Sequence, residues 1–102
     1  MPETHSLSSV LSSSGRINIL TLLSKVGELH LSEIAKRTGQ SYSSADRHLQ
    51  ELAHASIVEE HGYGRVRLFR LNLDNPRVRT LRRFILEWDD DLAMITEVKA
   101  QA

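Results

Sequence analysis

The sequence predicts a mainly α-helical chain with one small β-hairpin, an α+β fold. Apolar residues recur at helical spacing in several stretches, each bounded by serine, glycine or an Asn-Pro pair. The stretch "EEHGYGRVRLFR", residues 59–70, reads as two short strands around a Gly-Tyr-Gly turn. Beyond it, Val78, Leu81, Ile85, Trp88, Leu92 and Ile95 fall at alternating spacings of 3 and 4, the stripe of a long helix that packs along a seam.

Leu7, Val10 and Leu11 sit at i, i+3 and i+4 and predict a short helix near the start. Ser12, Ser13, Ser14 and Gly15 break it, and one of the serines can cap the next helix. In "RINILTLLSKV" the residues Ile17, Ile19, Leu20, Leu22, Leu23 and Val26 cover more than half of the helix circumference. This helix is therefore expected to be buried on two sides, with Gly27 as its end. "HLSEIAKRTGQ" predicts a helix with Ser32 as N-cap, Gly39 as stop, and Leu31, Ile34 and Ala35 turned inward. "SYSSADRHLQELAHAS" follows after a few residues, with Ser41 as cap and an inner stripe of Ala45, Leu49, Leu52 and Ala53. Two helices joined by a tight, glycine-containing turn form a helix-turn-helix. Ile57 and Val58 open a strand, "GYG" turns it, and "RVRLFRL" returns. Leu68 and Phe69 are adjacent and face opposite ways, which requires cover on both faces or a bulge. Asn75 then caps a helix with Pro76 at its first position, expected to run to about residue 98.

The 102 residues are expected to form one domain, 1–102, with a core over about 7–73 and the final helix over about 76–98. A chain of this size builds one core but no deep, enclosed substrate pocket. The absence of cysteine excludes disulfides, thiolate metal sites and thiol chemistry. The start has no basic region followed by an apolar run, so no secretory leader is expected. No run approaches the roughly 18 apolar residues of a membrane span.

The formal net charge is zero, yet the charges lie in blocks. Residues 1–60 carry five Lys/Arg and seven Asp/Glu; residues 61–85 carry seven Arg and one acid, Asp74; residues 86–102 carry five acids and Lys99. Such asymmetry marks an interaction surface.

The order of elements, together with "TGQSYSSADRHLQELAHASIVEE" and "GYGRVRLFRLN", resembles the winged helix-turn-helix of ArsR-like bacterial and archaeal regulators. The residues that carry the likeness are Arg47, His48, Leu49, Leu52, Ala55, Val58, Gly64, Arg65, Phe69 and Leu71, and it covers about residues 7–73. The resemblance implies a cytoplasmic, nucleoid-associated transcription regulator. It implies a recognition helix over about 42–55 in the major groove of double-stranded DNA, and a wing over 61–67 on the backbone or in the minor groove. Two departures matter. The family usually has glycine just before the first wing strand, and this chain has Ser56. Its metal-sensing members use cysteines, or His/Asp clusters in the last helix; here there is no cysteine and no histidine after His61. No metal and no cofactor is therefore expected.

Phosphates supply most of the affinity for duplex DNA. Arg65 and Arg67 lie beside the hairpin turn, Gly62 and Gly64 allow close approach, and Tyr63 can donate to a phosphate. At the start of the recognition helix, Tyr42, Ser43, Ser44 and Arg47 are the expected contacts. Arg47 can pair bidentately with guanine, serine hydroxyls reach bases or phosphates, and Gln50 can read adenine. Glu51 opposes DNA, and is expected to lie beyond the groove or to pair with Arg47. Lys36 and Arg37 either hold a phosphate or favour the negative end of their helix. Arg70 fits a helix-facing salt bridge, and His48 reads as a hydrogen-bonded structural histidine. Asp89, Asp90 and Asp91 point in different directions around a helix and read as a solvated acidic face. No nucleophile–base pair, P-loop or zinc spacing appears, so no enzymatic activity is expected.

The stripe of Val78, Leu81, Ile85, Trp88, Leu92 and Ile95 is assigned to the seam of a homodimer, folding back on its own domain being the alternative. Antiparallel pairing sets Arg77, Arg79, Arg82 and Arg83 near Glu87, Asp89, Asp90 and Asp91 of the second copy, whereas parallel pairing sets like charges side by side. Two rival readings remain: an architectural, nucleoid-type DNA-coating protein, and a winged helix that binds another protein, which the acidic end of the last helix suits.

Overall fold

The computed structural model describes residues 6–101, and side chains as far as Asp89. In chain order the elements are α1 (Leu7–Val10), α2 (Ser14–Val26), β1 (Glu28–His30), α3 (Leu31–Arg37), α4 (Tyr42–His54), β2 (Val58–Tyr63), β3 (Val66–Leu71) and α5 (Pro76–Gln101). The three strands form an antiparallel sheet in the order β1-β3-β2. The fold is thus helix-rich α+β, as expected, with a strand more than the hairpin supplies.

Helix starts are written in side chains. Ser13 Oγ accepts from the Arg16 N–H at 3.2 Å, Ser41 Oγ from the Ser44 N–H at 3.1 Å, and Asn75 Oδ1 from the Arg77 N–H at 3.0 Å. Each removes an orphan donor of a first helical turn. α3 departs from this pattern. Its N-cap is His30, without a side-chain cap bond, and Ser32 is already the second helical residue rather than the cap. The cause is β1, whose pairs Glu28↔Arg70, Leu29↔Phe69 and His30↔Leu68 run the chain straight from strand into helix.

β3 is the central strand, which resolves the adjacent Leu68 and Phe69. The register from Val58↔Leu71 to Tyr63↔Val66 is continuous, so there is no bulge. Phe69 is fully buried on the helix side, and Leu68 is half-buried on the other face. The hairpin loop is shorter than the Gly-Tyr-Gly reading. Tyr63 pairs with Val66 and Gly62 with Arg67, so both belong to β2, and the loop is Gly64–Arg65 alone. Gly64 takes φ +66°, the positive value that two-residue hairpin loops with glycine first require.

One core joins these layers. α2 contributes Ile19, Leu20 and Leu23; α3 contributes Leu31 and Ile34; α4 contributes Leu49 and Leu52; Val58, Phe69 and Val78 close it from the sheet and α5. α2 is less buried than its sequence predicts, because Ile17 and Val26 are exposed. Val78, read as a seam residue, is instead fully covered within the single chain. Leu81 and Ile85 are partly buried against the same core. The side chains of Leu92 and Ile95 lie outside the described residues.

α3 and α4 end in the same way, with one informative difference. After α3 the Gly39 N–H meets Lys36 O and the Gln40 N–H meets Ala35 O. After α4 the Ser56 N–H meets Ala53 O and the Ile57 N–H meets Leu52 O. Both are Schellman motifs. Gly39 takes the left-handed position at φ +68° without cost; Ser56 takes it at φ +64° with a Cβ. Asn72 Nδ2 and Asn75 Nδ2 donate to Ser56 O at 3.0 and 3.1 Å and hold the turn. A non-glycine residue here costs about 1–2 kcal/mol, partly offset by the freedom glycine adds to the unfolded chain. Ser56→Gly is therefore expected to stabilise the protein by about 0.5–1 kcal/mol. A thermal melt should show the midpoint rising by a few degrees.

Candidate nucleic-acid interface

α4 turns Ala45, Leu49 and Leu52 into the core and leaves Ser43, Arg47, Gln50 and His54 exposed. Tyr42 is exposed beside its start, and Ser44 is half-buried. Ser43 Oγ lies 3.4 Å from the Ser41 cap. At the hairpin tip Tyr63 is 70% exposed, with Gly64 and Arg65 beside it. Among the described residues no carboxylate pairs with Arg47 or Arg65.

Arg67 is placed differently. Period-two alternation along β3 puts it on the face of Phe69 and Leu71, beneath α4. Its Nε donates to Glu60 Oε2 at 2.7 Å and its Nη2 to Asp46 Oδ1 at 3.0 Å. The guanidinium carbon lies 5.6 Å from the centre of the Phe69 ring. Gln50 closes the cluster, donating from Nε2 to Asp46 Oδ1 at 3.3 Å and to Glu60 Oε1 at 3.2 Å. Arg67 holds both carboxyls below their usual range, and Glu60 with Asp46 raises the guanidinium in turn. Arg67 and Gln50, both read from sequence as DNA contacts, thus share partners within the chain, Gln50 staying exposed. Arg70 pairs with Glu59, directly opposite it on β2, at 3.1 Å rather than with a helix. Arg37 pairs with Glu33 one turn back, at 2.8 Å, while Lys36 is exposed.

A second cluster lies behind α4, and sequence reasoning missed its centre, Arg16. The Arg16 guanidinium forms an ion pair with Glu51 and donates from Nη1 to Ser9 O at 2.8 Å and from Nε to His48 Nδ1 at 3.2 Å. It ties α1, α2 and α4 together. Glu51 is thereby neutralised from behind, by Arg16 and not by Arg47. Neither the 35-residue separation nor any local spacing links Arg16 to Glu51; only the packing of α2 against α4 does.

His48 accepts at Nδ1, so its proton sits on Nε2. Burial, with Arg16 and Arg47 nearby, holds its pKa below the ordinary 6.5. The unfolded chain then binds a proton before the folded one. Stability is present above the ordinary histidine pKa and is lost as pH falls below it toward the lowered folded value. Wild type is expected to melt lower at about pH 5.5 than at about pH 7.5, and His48→Asn, whose Oδ1 can accept from Arg16, should lose less. Paired melts at the two pH values check this. The carboxylates Glu33, Asp46, Glu59 and Glu60 are held low by arginine partners and act only at more acidic pH.

Residues 13–60, from the cap of α2 into β2, match the family model described as bacterial regulatory protein, arsR family. The homodimeric winged helix-turn-helix DNA-binding domain of a possible ArsR-family transcriptional regulator from Mycobacterium bovis superposes with a TM-score of 0.67 at 27% identity, covering 84% of this chain and 77% of that one. This chain carries an ArsR-like winged helix-turn-helix domain. Further structures share the winged helix-turn-helix fold. HlyU from Vibrio cholerae is 21% identical with a TM-score of 0.70, covering 80% of this chain and 86% of that one. The repressor PagR of Bacillus anthracis is 18% identical with a TM-score of 0.63, covering 74% and 84%. No curated protein matches the chain.

In the ArsR-like frame α3 and α4 are the helix-turn-helix and β2–β3 is the wing. The family model that matches and the Mycobacterium bovis domain are both described as regulators. Among the described residues no group of three His, Cys, Asp or Glu is placed to hold a metal ion. No helix in the described part is long and apolar enough to cross a membrane. α5 carries an aromatic surface. Phe84 and the 64%-exposed Trp88 lie 6.0 Å apart, and with Ile17, Thr21 and Ile85 they line a shallow cavity of about 250 Å³.

Proposed function

We propose that this protein is a homodimeric transcription regulator that binds double-stranded DNA, cytoplasmic and associated with the nucleoid. The chain acts as one domain in this reading. The start of α4, with Tyr42, Ser43, Ser44 and Arg47, enters the major groove. The wing tip, with Gly62, Tyr63, Gly64 and Arg65, meets the backbone or minor groove. The observation that carries this is the division of the arginines. Among the described residues no carboxylate pairs with Arg47 or Arg65, which stay exposed on the helix and the tip, while Arg16, Arg67 and Arg70 are neutralised within the protein. Fluorescence anisotropy with a labelled duplex from the gene's own upstream region, against a scrambled duplex, tests it. Tighter binding to the upstream duplex supports a sequence-reading regulator. Equal, steeply salt-dependent binding to both points to an architectural protein, and no binding at low salt to a protein-binding module.

The dimer is proposed to form through α5. The Mycobacterium bovis domain is homodimeric, and Phe84 and Trp88 form an exposed apolar surface of the kind that marks an interface. Leu81 and Ile85 extend it and Val78 does not; Leu92 and Ile95, the other residues of the sequence stripe, lie beyond the described side chains. Antiparallel pairing is favoured by charge, with Arg82 and Arg83 toward Glu87 of the second copy. Asp89 is paired with Lys25 of its own chain. Trp88→Glu is expected to shift the protein from dimer to monomer in sedimentation equilibrium, and to lower duplex affinity at least about tenfold by halving the contacts. An intact Trp88→Glu dimer would place the seam elsewhere.

A further inference from the structure

A surface that meets phosphates is expected to shed carboxylates, yet Asp46 lies next in sequence to Arg47 on α4, and Glu60 lies on the wing. Both carboxylates converge on Arg67, at 3.0 and 2.7 Å, and Gln50 bridges them. The Arg67 side chain is two-thirds buried, with its guanidinium close to the Phe69 ring. The cluster joins three elements: α4 through Asp46 and Gln50, β2 through Glu60, and β3 through Arg67. It sits midway along the hairpin, between the buried base at Val58↔Leu71 and the exposed loop at Gly64–Arg65.

From this geometry we infer that Arg67 is a positioning residue: held by Asp46 and Glu60, it fixes the angle of the wing against α4 and does not itself contact the duplex. The inference rests on the DNA-binding reading above. A planar guanidinium with two carboxylates at fork geometry is a rigid joint, which lysine cannot reproduce. A phosphate would have to displace two carboxylates already in place. One cation shared by two anions also leaves the cluster net negative, so it adds nothing to phosphate attraction. Its contribution is to keep Arg65 at the distance from Arg47 that one duplex demands.

The sign of one substitution separates positioning from contact. If Arg67 reaches a phosphate, Asp46→Ala removes one of its two competing carboxylates and a repulsive charge, so affinity rises. If Arg67 positions the wing, Asp46→Ala loosens the joint and affinity falls. Anisotropy titrations of the upstream duplex at several salt concentrations are expected to show Asp46→Ala and Arg67→Ala each weakening binding about fivefold, with the double variant no worse than the weaker single. The slope of log affinity against log salt should stay at its wild-type value, because no phosphate contact is lost. Arg67→Lys keeps the charge and, unable to bridge both carboxylates, should weaken binding like Arg67→Ala; thermal melts confirm that each variant is folded. Tighter binding by Asp46→Ala, or wild-type affinity in Arg67→Lys with a reduced slope in Arg67→Ala, overturns the inference. Failure of the wild-type protein to bind any duplex at low salt overturns the DNA-binding reading itself, and is seen before any variant is made.

Discussion

Replacing Arg47 and Arg65 together by alanine is expected to cost at least about thirtyfold in duplex affinity while leaving the fold intact. An arginine on a base edge contributes about 1–3 kcal/mol and one on a phosphate a smaller, salt-dependent share, so the pair removes about 2–3 kcal/mol. The single variants should differ in kind. Arg47→Ala is expected to narrow the difference between the upstream and scrambled duplexes, because the start of α4 is where base edges are read. Arg65→Ala is expected to weaken both duplexes alike and to flatten the salt dependence by about one unit per subunit. Neither side chain has an internal ion-pair partner among the described residues, so both melts should stay within about 0.5 kcal/mol of wild type. Unchanged binding in the double variant would remove the DNA interface from this face and leave α5 as the working surface.

Reading the charged face from sequence succeeds where the structural cue is local and fails where it is shared between elements. Ser41 and Asn75–Pro76 are legible as caps because a cap is decided within three residues. β1 is not legible: three residues of "ELH" carry no pattern of their own and become a strand only because β3 offers an open edge. That edge also sets the start of α3 earlier and makes Ser32 its second helical residue instead of its cap. Arg67 is the instructive case. Counting arginines in "RVRLFR" groups it with Arg65, yet alternation within the same string sets it on the face of Phe69, where it meets Asp46 of α4 and Glu60 of β2. The i,i+4 pair of Asp46 and Gln50 was equally visible, but the meeting of Asp46 with Glu60 and Arg67 needs the tertiary fold. The same holds for Val78. Its place in the 3,4 stripe is periodic, and periodicity tells which side of a helix is apolar but not whether its own domain or a second copy covers it.

Phe69→Ala is the substitution with the largest expected effect on stability, about 3–5 kcal/mol. Phe69 is fully buried at the centre of the central strand, opposite Leu29 on one side and Glu60 on the other, and it belongs to the core shared with α2, α3 and α4. Truncation leaves a cavity that three strands held by continuous ladders cannot close. It also removes the ring beneath the Arg67 guanidinium, so the joint between wing and α4 loses its floor. A domain of this size has only about 5–15 kcal/mol of stability in total. At about 4–8 °C per kcal/mol the melting point should fall by at least about 12 °C. Urea unfolding should show a lower midpoint with an unchanged slope, since the surface exposed on unfolding hardly alters. Leu68→Ala provides the control. Leu68 is the adjacent residue on the same strand but lies half-buried on the opposite face, so its loss should cost less than half as much. Equal losses at the two positions would mean that the outer face of the sheet is covered as fully as the inner one, as it would be if a second copy packed there rather than along α5.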